Sequence, residues 1–156
     1  MTETVGRILN IETAEAMHRL GISVGRALFP GAFIALFGGL GAGKTTLTKG
    51  IAEALDIAGI LSPTFTIVRH HEGMLPLDHF DAYRIEDPDE LYAIGYEDYL
   101  MGDGVIVMEW CENVPEALPK ERLEIHIEGS GEDARTVRFI AYGKEYAELL
   151  KEDRLC

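Results

Sequence analysis

Long apolar runs and cysteines are scarce in this chain. The longest apolar run, residues 32–37, is far shorter than the roughly 20 residues that a membrane-spanning helix needs. The N-terminal residues contain no basic stretch followed by an apolar run, so a secretion signal is not indicated. We therefore expect a soluble, cytoplasmic protein without a membrane segment, in which the two cysteines, Cys111 and Cys156, remain reduced.

Basic residues are also few. Lys and Arg number 14 against 27 Asp and Glu, which gives a formal net charge of −13. A surface this acidic repels the phosphate backbone of nucleic acids. The charge therefore argues against DNA binding and predicts that any nucleic acid is met only through a partner protein.

The 156 residues, 47% of them hydrophobic, predict a single domain over residues 1–156 with alternating strands and helices. The unbroken apolar run at 32–37 is typical of a central parallel strand, and the last two strands predict a late antiparallel hairpin on the sheet edge. Predicted strands cover residues 4–9, 32–37, 66–70, 75–81, 105–108, 123–127 and 137–141. Predicted helices cover residues 13–28 and 44–55, a stretch near 91–93, and a charged, solvated segment at 144–154.

Residues 38–45, with the sequence GGLGAGKT, match the phosphate-loop pattern GxxxxGK[ST] in full. They lie between a predicted buried strand and a predicted helix, the context in which this pattern marks a phosphate site. Glycines let backbone N–H groups turn toward the phosphates, Lys44 supplies a cation, and Thr45 supplies a hydroxyl for Mg²⁺. The predicted nucleotide-binding residues of the loop are Gly38, Gly41, Ala42, Gly43, Lys44, Thr45 and Thr46, the last of them toward the α-phosphate. The sequence thus predicts an α/β fold of the P-loop NTPase type, with a mainly parallel central sheet flanked by helices.

A phosphate loop needs an acidic magnesium partner at the end of a neighbouring strand. Glu109 follows an apolar strand directly, although such enzymes usually place Asp there. Asp81 closes another predicted strand, and the parallel arrangement brings it to the same edge of the sheet. We expect Glu109 to hold the metal and Asp81 to orient water or join the metal shell. Either one alone is also compatible with a solvated acid at a strand end.

Two polar segments have alternative interpretations. Residues 62–66, SPTFT, are typical of a loop that senses the γ-phosphate, or of a simple turn stabilised by its hydroxyls. Thr13 precedes the first predicted helix, where an N-cap is favoured over contact with the nucleotide base.

Two further groups favour structural roles. Tyr92, Tyr96 and Tyr99 have helical spacing, which predicts a shared helix face in the core or against a partner. His70, His71 and His79 do not have the spacing of metal ligands, so a zinc site is not indicated.

A D-x-x-G sequence at residues 56–59 follows a helix, and no N-K-x-D motif occurs, so guanine specificity is not indicated either.

The ordered motifs resemble the TsaE (YjeE) family, the ATPase component of bacterial tRNA threonylcarbamoyladenosine biosynthesis. They span about half of the chain, and their order identifies the family where the phosphate loop alone would not. The motifs are LGAGKTT at residues 40–46, SPTFT at 62–66, HFDAYR at 79–84, DPDE at 87–90 followed by Gly95, and Glu109-Trp110.

This resemblance implies a P-loop ATPase that works with the TsaD and TsaB proteins and meets tRNA only through them. ATP hydrolysis would reset that complex between turnovers. In the family's terms Thr45 and Glu109 look like magnesium ligands, Asp81 looks catalytic, and Trp110 looks tied to the nucleotide site. Arg135 is similar to a family arginine near the nucleotide.

The expected cofactors are therefore ATP and Mg²⁺, and the expected reaction is attack of water on the γ-phosphate. Lys44 and the loop amides would hold charge, and Asp81 or Glu109 would orient the water. Turnover of the isolated chain is expected to be slow, because no arginine finger stands in the nucleotide loops. Two alternatives remain: a small-molecule kinase, and a nucleotide-sensing module without catalysis.

Overall fold

The structure is a computed structural model that describes residues 4–61, 63, 66–129, 131–132, 134–151 and 155. The apolar patterns predict each of its seven strands and three of its helices to within a few residues. The strands are β1 (Thr4–Ile11), β2 (Phe33–Phe37), β3 (Val68–His71), β4 (Leu77–Asp81), β5 (Val105–Glu109), β6 (Arg122–Glu128) and β7 (Arg135–Tyr142). The helices are α1 (Ala14–Arg26), α2 (Lys44–Ala54), α3 (Asp89–Ala93), α4 (Tyr96–Met101) and α5 (Lys144–Leu149), with short 3₁₀ turns at Cys111–Asn113 and Pro115–Ala117.

All seven strands form one sheet in the order β1-β7-β6-β2-β5-β4-β3. The four central strands, β6, β2, β5 and β4, are parallel to one another. β3 pairs antiparallel with β4 on one side, and β7 and β1 add two antiparallel strands on the other. The predicted α/β fold with a mainly parallel centre is confirmed, and β1 extends the antiparallel side beyond the predicted hairpin.

The central strand β2 is covered on both faces, as its apolar run predicts. Ile34 and Leu36 belong to a hydrophobic cluster with residues of α1, α2 and α5. Phe33 and Ala35 belong to a second cluster on the opposite face, with residues of α3, α4 and the 3₁₀ turns. The core is therefore two layers of side chains separated by the sheet.

The expectation that the three tyrosines share a helix face is wrong. Gly95 adopts a left-handed conformation with φ of +88°, which separates α3 from α4. Tyr92 therefore lies on one helix and Tyr96 on the next, where the buried Tyr96 hydroxyl donates a 2.9 Å hydrogen bond to the carbonyl of Ala117. For Tyr96 the alternative of a core contact is confirmed.

The expectation of a solvated C-terminal helix is also wrong. α5 packs against β7, and its Tyr146 and Leu149 are buried, as are Leu150 and Leu155 beyond it. The hydroxyl of Tyr146 accepts a 2.8 Å hydrogen bond from the backbone N–H of Phe33, at the start of β2. Burial of these apolar side chains packs α5 onto the core, although many charged residues surround them in the sequence.

None of the described helices is both long and apolar enough to cross a bilayer. Of the two cysteines, Cys111 is buried as a free thiol, and Cys156 lies outside the described residues.

Helices α1 and α2 cross at two glycines. A Cβ atom added to Gly21 would lie 2.2 Å from the carbonyl oxygen of Leu47, and one added to Gly50 would lie 2.2 Å from that of His18. Real Cβ atoms do not approach a carbonyl this closely, so the two backbones depend on glycine to make contact. The crossing holds α1 against α2, the helix that the phosphate-loop sequence leads into.

We expect Gly50→Ala to lower the free energy of unfolding by about 1–3 kcal/mol, since an overpacked core must shift backbone. The matched control is Gly6→Ala, whose Cβ would be 3.6 Å from the carbonyl oxygen of Phe139, an ordinary contact on an exposed strand. Urea denaturation of both variants measures the difference. Equal unfolding free energies for the two variants would contradict the proposed crossing.

Candidate functional site

The phosphate-loop motif forms the turn between β2 and α2 at the carboxyl edge of the sheet. Gly43 caps α2 with φ of +113°, a conformation that favours glycine, and no described side chain caps this helix. The first backbone N–H groups of α2 are thus left for a ligand, and the positive end of the helix dipole adds to their attraction for an anion. The local geometry suits a phosphate group.

A cavity of about 650 Å³ opens above this loop. Of the predicted site residues, every one except Gly38 lines it, so the fold brings together segments that are up to 94 residues apart in the chain. The lining residues are Ile11, Glu12, Thr13, Ala14, Met17, Leu40, Gly41, Ala42, Gly43, Lys44, Thr45, Thr46, Asp81, Glu109, Trp110, Gly131, Glu132 and Arg135. Gly38 lies at the base of the loop, where its carbonyl oxygen accepts a hydrogen bond from Lys44.

Lys44 of the phosphate loop is buried. Its Nζ donates a 2.6 Å hydrogen bond to Gly38 and lies 3.6 Å from the centre of the Trp110 ring. Burial lowers the pKa of Lys44, and the nearby carboxylates of Glu109, Glu112 and Asp81 counteract part of that shift. The ammonium is therefore held by an aromatic face and a carbonyl, contacts that an incoming phosphate can replace.

Glu109 and Asp81 end the neighbouring parallel strands β5 and β4, and they are paired in register. Oε2 of the buried Glu109 lies 2.6 Å from Nε2 of His79, which is buried as well. Oδ1 of Asp81 accepts a 2.8 Å hydrogen bond from the backbone N–H of Tyr83. Two carboxylates thus face the phosphate loop across the cavity, an arrangement suited to binding a hard cation such as Mg²⁺.

Arg135, at the start of β7, attaches the last hairpin to the phosphate loop. Its Nε donates a 2.9 Å hydrogen bond to the carbonyl of Ala42, and its terminal nitrogen donates 3.0 Å bonds to the carbonyls of Gly41 and Gly131. These bonds hold the Arg135 guanidinium at the cavity wall, where it binds two carbonyl oxygens of the phosphate loop. Strand and helix patterns in the sequence provide no geometric reason to expect this contact, because Arg135 lies 93 residues beyond Ala42.

The junction of β1 and α1 lines the cavity beside Arg135, because Ile11 at the end of β1 pairs with Arg135. The hydroxyl oxygen of Thr13 accepts a 3.0 Å hydrogen bond from the N–H of Ala16, which confirms the predicted N-cap, and Thr13 also lines the cavity. Sequence patterns do not predict the other lining residues here, including Ile11, Glu12 and Met17. Ile11 and Met17 have apolar side chains that do not mark a site, and Glu12 is one of 27 acidic residues with no motif around it. The pairing of β1 with β7 brings Ile11 to the cavity beside Arg135, and α1 follows directly.

The predicted sensing loop at residues 62–66 is only partly described. Ser62, Thr64 and Phe65 lie outside the described residues. The carbonyl of Pro63 accepts a 3.0 Å hydrogen bond from the N–H of Thr66, as in a turn. A role in sensing the γ-phosphate stays a prediction.

Comparison with known proteins identifies relatives over most of the chain. The family model described as threonylcarbamoyl adenosine biosynthesis protein TsaE matches residues 11–137. The tRNA threonylcarbamoyladenosine biosynthesis protein TsaE of Bacillus subtilis is 43% identical over 154 residues, which cover 97% of this chain and 94% of the relative. The protein of the same name from Streptomyces coelicolor is 41% identical over 130 residues, covering 80% and 87%.

A solved structure agrees with the fold. The crystal structure of Bacillus subtilis YdiB superposes with a TM-score of 0.78 at 37% sequence identity, covering 96% of this chain and 93% of that one. A match of this extent, together with the family model and the sequence identities, leads to one conclusion: the chain belongs to the TsaE family.

Proposed function

We propose that this chain is a magnesium-dependent ATPase of the machinery that makes threonylcarbamoyladenosine in tRNA. The observation that carries the proposal is the phosphate loop facing Glu109 and Asp81 across one cavity. The Bacillus subtilis and Streptomyces coelicolor relatives are tRNA threonylcarbamoyladenosine biosynthesis proteins, which supplies the biological setting. In that setting the chain would act in the cytoplasm.

The loop and the start of α2 would bind the triphosphate. Backbone N–H groups from Gly41 to Thr45 would surround the phosphates, with the hydroxyl of Thr46 near the α-phosphate. Lys44 would exchange its bond to Gly38 for a phosphate oxygen, since a charged acceptor makes the stronger hydrogen bond. The base would lie further along the cavity, between Thr13 and Arg135, which line it.

The donor set fits Mg²⁺. The hydroxyl of Thr45 and the carboxylate of Glu109 both line the cavity, and hard oxygen ligands of this kind are those that Mg²⁺ prefers. When bound, the ion neutralises charge on the β- and γ-phosphates. Asp81 would accept a hydrogen bond from the attacking water and orient it toward the γ-phosphate, while Glu109 remains on the metal.

The partners we propose are the TsaD and TsaB proteins. Leu40 and Tyr83 stand beside the nucleotide residues and are 76% and 49% exposed. Tyr83 packs on Trp110, at 4.8 Å between ring centroids, and Trp110 lies over Lys44. A partner that covered these exposed side chains would also close the phosphate site, and this supports hydrolysis that is slow alone and coupled to the complex, resetting it between turnovers.

Trp110 provides a direct measure of nucleotide binding, because it is the one tryptophan in the sequence and lies 3.6 Å from Lys44. Addition of a non-hydrolysable ATP analogue with Mg²⁺ should change its fluorescence as Lys44 leaves the ring. We expect Lys44→Ala to weaken binding by about 10-fold or more, since a charge-assisted hydrogen bond is lost. Lys49→Ala, an exposed lysine of the same helix, should bind like the parent. Equal affinities for both variants would contradict this role of Lys44.

Phosphate release from Mg²⁺ and ATP tests the reaction. Glu109→Gln and Asp81→Asn should each lower the rate about 100-fold or more, because one removes a metal ligand and the other the group that orients water. Glu112→Gln is the matched control, since this exposed carboxylate lies near Lys44 but outside the cavity lining. A TsaD–TsaB complex should raise the rate of the parent.

The same assay separates the alternatives. Transfer of the phosphoryl group to an added small molecule, with no free phosphate, would indicate a kinase. Nucleotide binding without phosphate release, alone or with the complex, would indicate a sensing module. Either result would overturn the proposed ATPase.

A further inference from the structure

His79 and Glu109 form a buried hydrogen bond between neighbouring strands. Nε2 of His79 lies 2.6 Å from Oε2 of Glu109, and the two side chains are 3% and 10% exposed. In the parallel pairing of β4 and β5, His79 is in register with Val107, two positions before Glu109. Since alternate residues of a strand share a face, His79, Asp81 and Glu109 lie on the same side of the sheet.

His79 is not a fully satisfied core histidine. Its Nδ1 is buried and has no hydrogen-bond partner among the described residues, so Glu109 is the side chain to which this imidazole is bonded there. As a metal ligand Glu109 would be ionised, and an ionised carboxylate only accepts hydrogen bonds, so Nε2 of His79 would be the donor. A buried group with one unsatisfied nitrogen costs stability, which points to a role at Glu109.

We propose that His79 is a positioning residue for the magnesium site. The inference rests on the proposed function, in which Glu109 is a metal ligand. By bonding Oε2, the imidazole orients the carboxylate and leaves the second oxygen for Mg²⁺. Carboxylate ligands of metals are commonly oriented in this way by an outer hydrogen-bond donor.

The neighbouring cation explains why Glu109 needs such a partner. Glu109 and Lys44 line the same cavity, and Glu109 is the carboxylate that does most to raise the pKa of Lys44 against the effect of burial. Without the donor, the carboxylate is free to turn toward the ammonium, which would remove both groups from the positions that Mg²⁺ and phosphate require. In this proposal, the hydrogen bond from His79 keeps the Glu109 carboxylate available for Mg²⁺ and the Lys44 ammonium available for phosphate.

The test compares His79→Leu, which removes the donor but keeps an apolar side chain, with His79→Gln, whose amide nitrogen reaches about as far as Nε2. Affinity for a non-hydrolysable ATP analogue is measured by Trp110 fluorescence, first in EDTA and then across a Mg²⁺ titration. We expect His79→Leu to need a Mg²⁺ concentration at least about 10-fold higher than the parent for the half-maximal increase in nucleotide affinity. Its affinity in EDTA should match that of the parent, and His79→Gln should recover most of the loss.

His126→Leu is the matched control, because His126 also bonds a buried glutamate, Glu124, at 2.8 Å, and Glu124, unlike Glu109, does not line the cavity. It should show the parent's Mg²⁺ midpoint. If His79→Leu does not fold, His79→Asn replaces it, since its shorter amide does not reach Glu109. A parent-like midpoint in the donor-free variant, or an equal loss of affinity in EDTA, would overturn the inference while leaving the proposed function intact. A parent protein indifferent to Mg²⁺ would overturn both.

Discussion

Parallel hydrogen bonding between β2, β5 and β4 is the constraint on which the site depends. It sets Leu36 beside Glu109, and Glu109 beside Asp81, so that three strands end at one edge in a fixed register. The phosphate loop leaves β2 at that edge, and the close crossing of α1 with α2 holds the following helix over it. Lys44, Glu109 and Asp81 therefore lie at one edge of the sheet although they are far apart in the sequence.

Burial gives these charges their effect. In a protein of net charge −13, Lys44 lies in a pocket that lowers its pKa, held by the ring of Trp110 and the carbonyl of Gly38. In the proposed function, the carboxylates of Glu109 and Asp81 would attract a divalent cation, and the start of α2 would attract phosphate. The proposed magnesium nucleotide would satisfy both attractions at once, because its metal ion is positive and its phosphates are negative.

The sequence predicts most of the fold, because a buried parallel strand and a phosphate loop both have strong local patterns. It also predicts which residues line the phosphate end of the cavity, since their chemistry is specific. It does not predict the wall at Ile11 and Met17, which depends on long-range pairing of β1. Strand alternation predicts that His79 and Asp81 share a face, but the bond from His79 to Glu109 depends on the neighbouring strand. The tyrosine spacing predicts one continuous helix, which the left-handed conformation of Gly95 divides into two.

The central claim is that one cavity holds a magnesium nucleotide between the phosphate loop and Glu109. A crystal structure of the chain with Mg²⁺, ADP and beryllium fluoride tests it most directly. The account predicts a metal ion bonded by Thr45 and Glu109, Lys44 on a phosphate instead of on Gly38, and Asp81 facing the site of the attacking water. A nucleotide bound elsewhere, or bound in this cavity with the metal remote from Glu109, would contradict it.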